Sequence, residues 1–277
     1  MELFNVKDAK NILEKFNTRP SKRLGQNFLI DKNILQKIID AAEINGSDII
    51  LEVGPGLGIL TQELAQKAKK IMAVEKDNTM VEILKENLKD FQNIEIVNTD
   101  ILKFQIKEKY KVVANIPYYL TSPLIRKLLE EDKQPSEIIL MVQKEVAQRI
   151  CATPPNMNLL AVSVQFYANP KILFNVSKNS FWPIPKIDSA VIKITPSHFG
   201  GQTQKNSGER VSAELFFKVV KAGFSQPRKQ LAGNLSSVLK IPKPEIEKLL
   251  LQNNIQPTQR AETLSVQNWK KLAQCFC

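Results

Sequence analysis

Strand-like and helix-like segments alternate along the chain from about Asp48 onward. Short apolar runs rich in β-branched residues predict buried strands at 48–53, 70–75, 93–98, 110–115 and 137–142. Apolar residues at helical spacing predict helices between them, for example at 79–89 and 122–131. This alternation is typical of a parallel sheet covered by helices. Two later runs, 171–176 and 188–194, predict strands that close one edge of the sheet as an antiparallel pair.

The pattern changes after residue 195. The next fifteen residues are polar, contain glycines and show no periodicity, as expected of a linker. Beyond them the pattern predicts helices, among them 213–224 and 244–253. We therefore expect three parts: a first domain over 1–195, a linker over 196–210 and a smaller helical domain over 211–277.

The charge of the chain is unevenly distributed. Lys and Arg number 39 against 28 Asp and Glu, which gives a formal net charge of +11. From Pro196 to Cys277 there are nine Lys and three Arg against five Glu, a surplus of seven positive charges. Such a surplus favours a polyanion such as nucleic acid as partner, although it can also serve solubility alone.

Composition also argues against several classes of protein. No apolar run approaches the roughly 20 residues of a membrane span, and Glu2, Asp8 and Glu14 are unlike a basic targeting segment. We expect a cytoplasmic protein without membrane contact. Three cysteines cannot all pair, and His198 is the single histidine. We therefore expect neither a metal site nor histidine-dependent catalysis.

The motif EVGPGLG follows the first predicted strand. It places Gly54, Gly56 and Gly58 before a helix that begins near Ile59, so a ligand can approach bare backbone and the helix N-terminus. The dinucleotide fingerprint is G-x-G-x-x-G, whereas the third glycine comes one residue early here. This spacing favours S-adenosylmethionine over a nicotinamide or flavin dinucleotide. A tight turn without a ligand is the alternative.

Acidic residues end the next two predicted strands. Glu75 lies 21 residues after Gly54, where a carboxylate can accept both hydroxyl groups of a ribose. Asp100 follows the third strand and can accept a hydrogen bond from an adenine amine or a backbone amide. The carboxyl ends of parallel strands lie at one edge of a sheet, so we expect these groups around a single ligand.

The fourth predicted strand ends in the motif NIPY. An adenine amine is a poor nucleophile because its lone pair is delocalised into the ring. The side-chain oxygen of Asn115 and the carbonyl of Ile116, held extended before Pro117, can accept the two amine hydrogens and so localise that lone pair. Tyr118 can stack on the base, a role in which its hydroxyl is incidental. The alternative is a strand that ends at a proline, with its tyrosines packed under a loop.

A second aromatic motif, FWPIPKIDSAV, runs from Phe181 into the last predicted strand. Phe181 or Trp182 can form the other wall of a base pocket, or both can be ordinary core residues. Methyl transfer to an aligned amine depends on orientation more than on a strong base, because the adduct nitrogen becomes acidic. That requirement suits a chain with a single histidine.

Taken in order and spacing, the motifs resemble those of the ribosomal RNA adenine dimethyltransferases. They are QNFLID (26–31), EVGPGLG (52–58), VEKD (74–77), NTDIL (98–102), NIPYYLTSPL (115–124), QKEVAQRI (143–150) and FWPIPKIDSAV (181–191). AGFSQPRKQLAGNL (222–235) and RAETLSV (260–266) resemble the C-terminal helical domain of the bacterial small-subunit enzymes. Large-subunit, macrolide-resistance methyltransferases share the first set of motifs but have a different C-terminal domain.

The resemblance implies an α/β fold, namely the seven-strand, Rossmann-like sheet of S-adenosylmethionine-dependent methyltransferases with a smaller all-helical C-terminal domain for RNA recognition. Its cofactor contacts correspond here to Asn27, Leu29, Gly54, Glu75, Asp100 and Asn115. Its catalytic, target-base contacts correspond to Asn115, Tyr118 and Phe181.

The resemblance also implies a substrate. This is a pair of adjacent adenines near the 3′ end of small-subunit ribosomal RNA, dimethylated by a monomer acting on a partly assembled subunit during ribosome maturation. A large-subunit methyltransferase and a catalytically silent assembly factor remain alternatives. A dinucleotide oxidoreductase is disfavoured by the glycine spacing.

Overall fold

The computed structural model describes residues 6–197 and 212–276. Contacts divide the chain into two compact units. The first contains the described residues up to Ala147 together with Asn169–Ser197, and the second contains Gln148–Ala168 together with 212–276. Within these described ranges, no helix has the length and apolar character to cross a membrane.

The elements follow the predicted alternation. The strands are β1 (Phe28–Leu29), β2 (Ile49–Val53), β3 (Lys70–Glu75), β4 (Ile94–Asn98), β5 (Lys111–Asn115), β6 (Ile138–Gln143), β7 (Ala168–Val176), β8 (Phe181–Trp182) and β9 (Ser189–Pro196). The helices are α1 (Val6–Lys15), α2 (Lys32–Ala41), α3 (Ile59–Ala65), α4 (Asn78–Asn87), α5 (Thr121–Glu130), α6 (Lys144–Ile150), α7 (Leu159–Tyr167), α8 (Ala213–Gly223), α9 (Leu231–Leu239), α10 (Lys243–Gln252) and α11 (Val266–Gln274).

Seven strands form the main sheet, in the order β4-β3-β2-β5-β6-β9-β7. The strands from β4 to β6 are parallel, whereas β9 is antiparallel to β6 and lies beside β7 at the edge. The predicted seven-strand sheet is thus confirmed. In chain order, β3 and β4 lie on one side of β2, whereas β5 and the later strands of the sheet lie on its other side. Ligands bind at such reversals of strand order in open α/β sheets.

The central strands are apolar because helices cover both of their faces. Side chains of successive residues point to opposite faces of a strand, yet almost every residue of β2, β3 and β6 is buried. Ile50, Ile71, Val113 and Ile139 belong to one continuous core with residues of α1 to α4. This core holds the carboxyl ends of the strands in fixed register.

The second unit has its own core, built around Phe216 and Trp269, both of which are fully buried. Helix α8 packs on α9 and α11, and α10 packs on α9. At Gly223 a β-carbon would lie 2.3 Å from the Trp269 ring, so only glycine allows α8 and α11 to approach this closely.

The structure corrects the expected domain boundary. Helix α7 lies inside the range 1–195 but belongs to the second unit by its contacts. Its Phe166 ring lies 4.1 Å from that of Phe216, and Ala161 and Val162 join the same core. Helix α7 is apolar around most of its circumference, so its sequence pattern predicts burial without indicating a partner. The expected linker lies mostly outside the described residues.

Candidate active site at the carboxyl edge of the sheet

A cavity of about 290 Å³ lies in the first unit, beside the reversal of strand order and at the carboxyl ends of β2, β3 and β5. The eight residues assigned from the sequence to the cofactor or the target base all line this cavity: Asn27, Leu29, Gly54, Glu75, Asp100, Asn115, Tyr118 and Phe181. Trp182, the alternative to Phe181, does not line it. Motifs separated by more than 150 residues along the chain are therefore brought to one site.

The glycine loop joins three of these motifs. Gly54 has φ +67° and its N–H donates to the Val74 carbonyl at 3.0 Å, while a β-carbon on it would lie 3.3 Å from the Pro117 ring. Gly56 has φ +60°, and a β-carbon there would lie 3.1 Å from the Phe28 ring. Both positions need the left-handed backbone and a bare α-carbon. The loop therefore packs directly against the motifs NIPY and QNFLID.

Glu75 ends β3 with an almost fully buried carboxyl group. Its Oε1 accepts the backbone N–H of Lys76 at 2.8 Å and that of Asp77 at 2.9 Å. Burial raises the pKa of Glu75 above its ordinary value, and the hydrogen bonds from Asp77 and Lys76 partly oppose this. These bonds fix the orientation of the carboxyl group at the cavity.

Asp100 caps the short 3-10 turn that follows β4. Its Oδ1 accepts the N–H of Leu102 at 3.0 Å, and its Oδ2 forms an ion pair with Lys76 Nζ at 2.8 Å. The hydrogen bond from Lys76 holds the pKa of Asp100 below its usual range. Asp100 is therefore a fixed carboxylate at the rim of the cavity.

Asn115 lies where β5 ends. Its Nδ2 donates to the Asn27 carbonyl at 3.4 Å, and Asn27 Nδ2 in turn donates to the Gly25 carbonyl at 3.1 Å. The donor end of the Asn115 amide is thus turned toward the segment QNFLID, which leaves Oδ1 as its acceptor toward a ligand. Ile116, which follows, is buried and also lines the cavity.

Tyr118 begins a 3-10 turn and is held at both ends. A hydrogen bond of 2.7 Å joins its hydroxyl to Ser189 Oγ, and its carbonyl accepts the hydroxyl of Thr121 at 2.9 Å. Burial raises the pKa of the Tyr118 phenol. Sequence reasoning treated this hydroxyl as incidental. The structure instead gives it a buried partner on β9.

The aromatic motif holds the segment QNFLID in place. Strands β1 and β8 pair antiparallel, with Leu29 opposite Phe181 and Phe28 opposite Trp182. The Ser180 hydroxyl donates to Asp31 Oδ2 at 2.8 Å, and Asp31 also caps α2. Leu29, expected at the cofactor, and Phe181, expected at the target base, are therefore neighbours in one ladder.

Glu52 is a residue of the site that sequence reasoning missed. It lies in β2, is only 2% exposed and lines the cavity. Its Oε2 has no hydrogen-bond partner among the described residues. Burial raises the pKa of Glu52 to about 8, and the nearby Glu75 contributes in the same direction. An acid inside the otherwise apolar run IILEV was the available signal.

The chain matches a sequence model described as ribosomal RNA adenine dimethylase over residues 17–276, nearly its whole length. The chain belongs to this family. The family resemblance read from the motifs is thereby confirmed.

Individual proteins agree with this assignment. The chain is 42% identical to the ribosomal RNA small subunit methyltransferase A of Dehalococcoides mccartyi over 95% of this chain and 91% of that protein. It resembles the crystal structure of a dimethyladenosine transferase from Plasmodium falciparum with a TM-score of 0.73, at 28% identity over 89% of this chain and 96% of that one. The 23S rRNA methyltransferase ErmE gives a TM-score of 0.72 at 25% identity, over 90% and 98% of the two chains.

Proposed function

We propose that the protein dimethylates the exocyclic amines of two adjacent adenines near the 3′ end of small-subunit ribosomal RNA, with S-adenosylmethionine as methyl donor. The chain belongs to the ribosomal RNA adenine dimethylase family, and within that family one observation carries the proposal. The glycine loop, the carboxyl group of Glu75 and the NIPY motif line one cavity where open α/β sheets bind ligands.

The residues of the cavity fit S-adenosylmethionine. Gly54 and Gly56 present bare backbone, Glu75 suits the ribose hydroxyls, and Asp100 suits the adenine end of the cofactor. The buried Oε2 of Glu52 has no hydrogen-bond partner in the part of the chain that the structure describes, and it marks polar space that a ligand donor can fill. Bound S-adenosylmethionine supplies an electrophilic methyl group on a positively charged sulfur. Asn27 and Leu29 complete the wall on the side of β1.

The NIPY residues serve the target adenine. Asn115 Oδ1 and the carbonyl of Ile116 accept the amine hydrogens and hold the nitrogen lone pair toward the methyl donor. Tyr118 and Phe181 form the walls that enclose the base. The methylated nitrogen becomes acidic and releases a proton to water, so no strong base is required.

The comparisons favour the small subunit over the large one. The chain is 42% identical to a relative named for the small subunit and 25% identical to one named for 23S rRNA. We further propose that the protein acts as a monomer in the cytoplasm, on a partly assembled subunit, and that the basic C-terminal residues position the RNA. The surplus of seven positive charges beyond residue 195 supports this last step.

The test is incubation with radiolabelled S-adenosylmethionine and purified small or large subunits that lack the modification, followed by mapping of the labelled bases. We expect two labelled adenines near the 3′ end of the small-subunit RNA and none in the large subunit. Label in the large subunit would indicate the macrolide-resistance type of activity. Tight binding to small subunits without transfer would indicate an assembly factor.

A further inference from the structure

Ser189 is a buried polar residue that contacts Tyr118, which lines the cavity. It is the first residue of β9, has no exposed surface and pairs with Gln143 across the antiparallel ladder to β6. A buried hydroxyl needs a hydrogen-bond partner, because burying it without one is unfavourable. Its partner is the hydroxyl of Tyr118, 71 positions earlier in the chain, at 2.7 Å.

This hydrogen bond acts on the far end of a side chain whose near end is also fixed. The carbonyl of Tyr118 accepts a hydrogen bond from Thr121, which is 2% exposed. With both ends held, the ring has little freedom to rotate about its two side-chain torsions. The anchor at the far end belongs to a strand in the interior of the seven-strand sheet, so it moves little.

Stacking depends on the orientation of the ring plane. A base drawn into the cavity gains the full stacking interaction only if the Tyr118 ring already presents its face. An untethered ring would lose rotational freedom each time a base stacked on it, and that loss would oppose stacking of the base, a step that follows docking of the subunit and therefore affects kcat.

We propose that Ser189 is a positioning residue, which holds the Tyr118 ring in the plane required to stack on the target adenine. The inference rests on the proposed function, because it assigns Ser189 a role only through the base that Tyr118 contacts. Ser189 itself touches neither the base nor the cofactor in this assignment.

The first experiment tests the hydrogen bond between Ser189 and Tyr118, called the tether below, without any substrate. The chain has four tyrosines, so ¹³Cζ labelling of tyrosine gives four NMR signals, and Tyr118→Phe identifies the signal of Tyr118 by its disappearance. We expect Ser189→Ala to shift that signal alone, and Ser47→Ala, which removes an exposed hydroxyl at a turn, to shift none of the four. An unmoved Tyr118 signal in Ser189→Ala would refute the tether.

The second experiment is a double-mutant cycle in methyl transfer to small subunits. Ser189→Ala and Tyr118→Phe each remove the same hydrogen bond, so each should lower kcat by about 3- to 10-fold. The double variant should be no slower than either single variant, because the interaction is already absent in each. The KM for small subunits and the Kd for S-adenosylmethionine, measured by calorimetry, should stay within about twofold of wild type.

The outcomes separate the inference from the function on which it rests. Additive losses in the cycle, a wild-type kcat in Ser189→Ala, or a weakened cofactor Kd would each overturn the positioning role. A wild-type protein that transfers no methyl group to small subunits would instead refute the proposed function. The NMR comparison tests the hydrogen bond between Ser189 and Tyr118 whether or not the protein transfers a methyl group.

Discussion

Asn115 is the last residue of the apolar strand β5 and lines the cavity. We predict that Asn115→Ala lowers methyl transfer by about 100-fold or more, because the target amine loses a fixed acceptor. Cofactor binding should change much less, since the hydrogen bond from Asn115 to the Asn27 carbonyl is long, at 3.4 Å. Single-turnover transfer and calorimetry on the same variant measure the two effects. Unchanged turnover would remove Asn115 from the mechanism.

Substitution of Glu75 should affect cofactor binding rather than the methyl-transfer step. Glu75→Ala removes a buried, oriented carboxyl group, and we predict a loss of about 1 to 3 kcal/mol in S-adenosylmethionine binding, because charge-assisted hydrogen bonds to the ribose disappear. Glu82→Ala on the exposed face of α4 is the matched control and should bind normally. Wild-type affinity of Glu75→Ala in calorimetry would contradict the ribose assignment.

The raised pKa of Glu52 predicts that the free energy of unfolding depends on pH. Its pKa is raised to about 8 in the folded protein from an ordinary value of 4.5, so the folded state keeps a proton that the unfolded state releases. Glu52 therefore contributes stability below about pH 4.5 and loses it progressively up to about pH 8. We predict that Glu52→Gln, which carries no titrating group, gains stability relative to wild type as pH rises across this window.

Chemical denaturation of wild type and Glu52→Gln at pH 5, 6.5, 8 and 9 measures this difference. It should grow by about one or more kcal/mol from pH 5 to pH 8 and then level off. The exposed Glu82→Gln should keep a constant difference from wild type. A constant difference for Glu52→Gln as well would mean that Glu52 is ionised in the folded protein.

The sequence predicted which residues form the site better than it predicted the hydrogen bonds between them. Asn115, Glu75 and Asp100 were visible because each follows an apolar run, where a polar residue is conspicuous. Glu52 and Ser189 lie inside runs that read as strands, and such a pattern assigns their positions to the core. The bond between Ser189 and Tyr118 spans 71 positions, and no local spacing indicates it.

Among the elements, the small ladder of β1 and β8 positions the cofactor side of the cavity. Asp31 ends the segment that enters this ladder, accepts the N–H groups of Asn33 and Ile34 as the cap of α2, and accepts the Ser180 hydroxyl. One carboxylate thus ties α2, the segment of Asn27 and Leu29, and the residue before β8 together.

We predict that Asp31→Ala lowers the free energy of unfolding by about 1 to 2 kcal/mol, the usual cost of removing a helix cap. It should also weaken S-adenosylmethionine binding, because the segment of Asn27 and Leu29 is then held less firmly. Asp31→Asn keeps a capping oxygen and should retain most of the stability. Urea denaturation with and without cofactor measures both effects. Wild-type stability of Asp31→Ala would show that the β1–β8 ladder alone holds the segment.

Most element boundaries were also predictable, for a physical reason. The strands β2, β3, β5 and β6 are short and largely buried, whereas the edge strand β4 is partly exposed, and all five end within a residue or two of the predicted limits. Helix α7 was not assigned to its unit because its partner Phe216 lies about 50 residues later. Its own sequence is apolar on several sides and therefore compatible with either core.

At the scale of the whole molecule, this assignment of α7 changes how the RNA-positioning role can be tested. Truncation after residue 210 would remove α8, and with it the Phe216 ring on which Phe166 of α7 packs. The apolar surface of α7 would then be exposed and would promote aggregation. Substitution of exposed charges in the complete chain avoids this problem.

Arg228 and Lys229 are exposed in the loop between α8 and α9. We predict that reversing both charges to Glu weakens binding to small subunits while S-adenosylmethionine affinity stays at the wild-type value. The matched control reverses Lys67 and Lys69, which are exposed and precede β3 at the amino edge of the sheet, opposite the cavity. Both double variants change the net charge by the same amount, so a general effect of charge would appear equally in each.

Filter binding across a salt series distinguishes direct binding to phosphates from that general effect. Removing a side chain that binds one phosphate should lower the slope of log affinity against log salt by roughly one unit. The Arg228 and Lys229 variant should therefore have a slope smaller by roughly one to two units, and its deficit should shrink as salt rises. The Lys67 and Lys69 variant should keep the wild-type slope. If both variants bound small subunits equally weakly, the positive charge of the C-terminal residues would act only through the net charge of the protein.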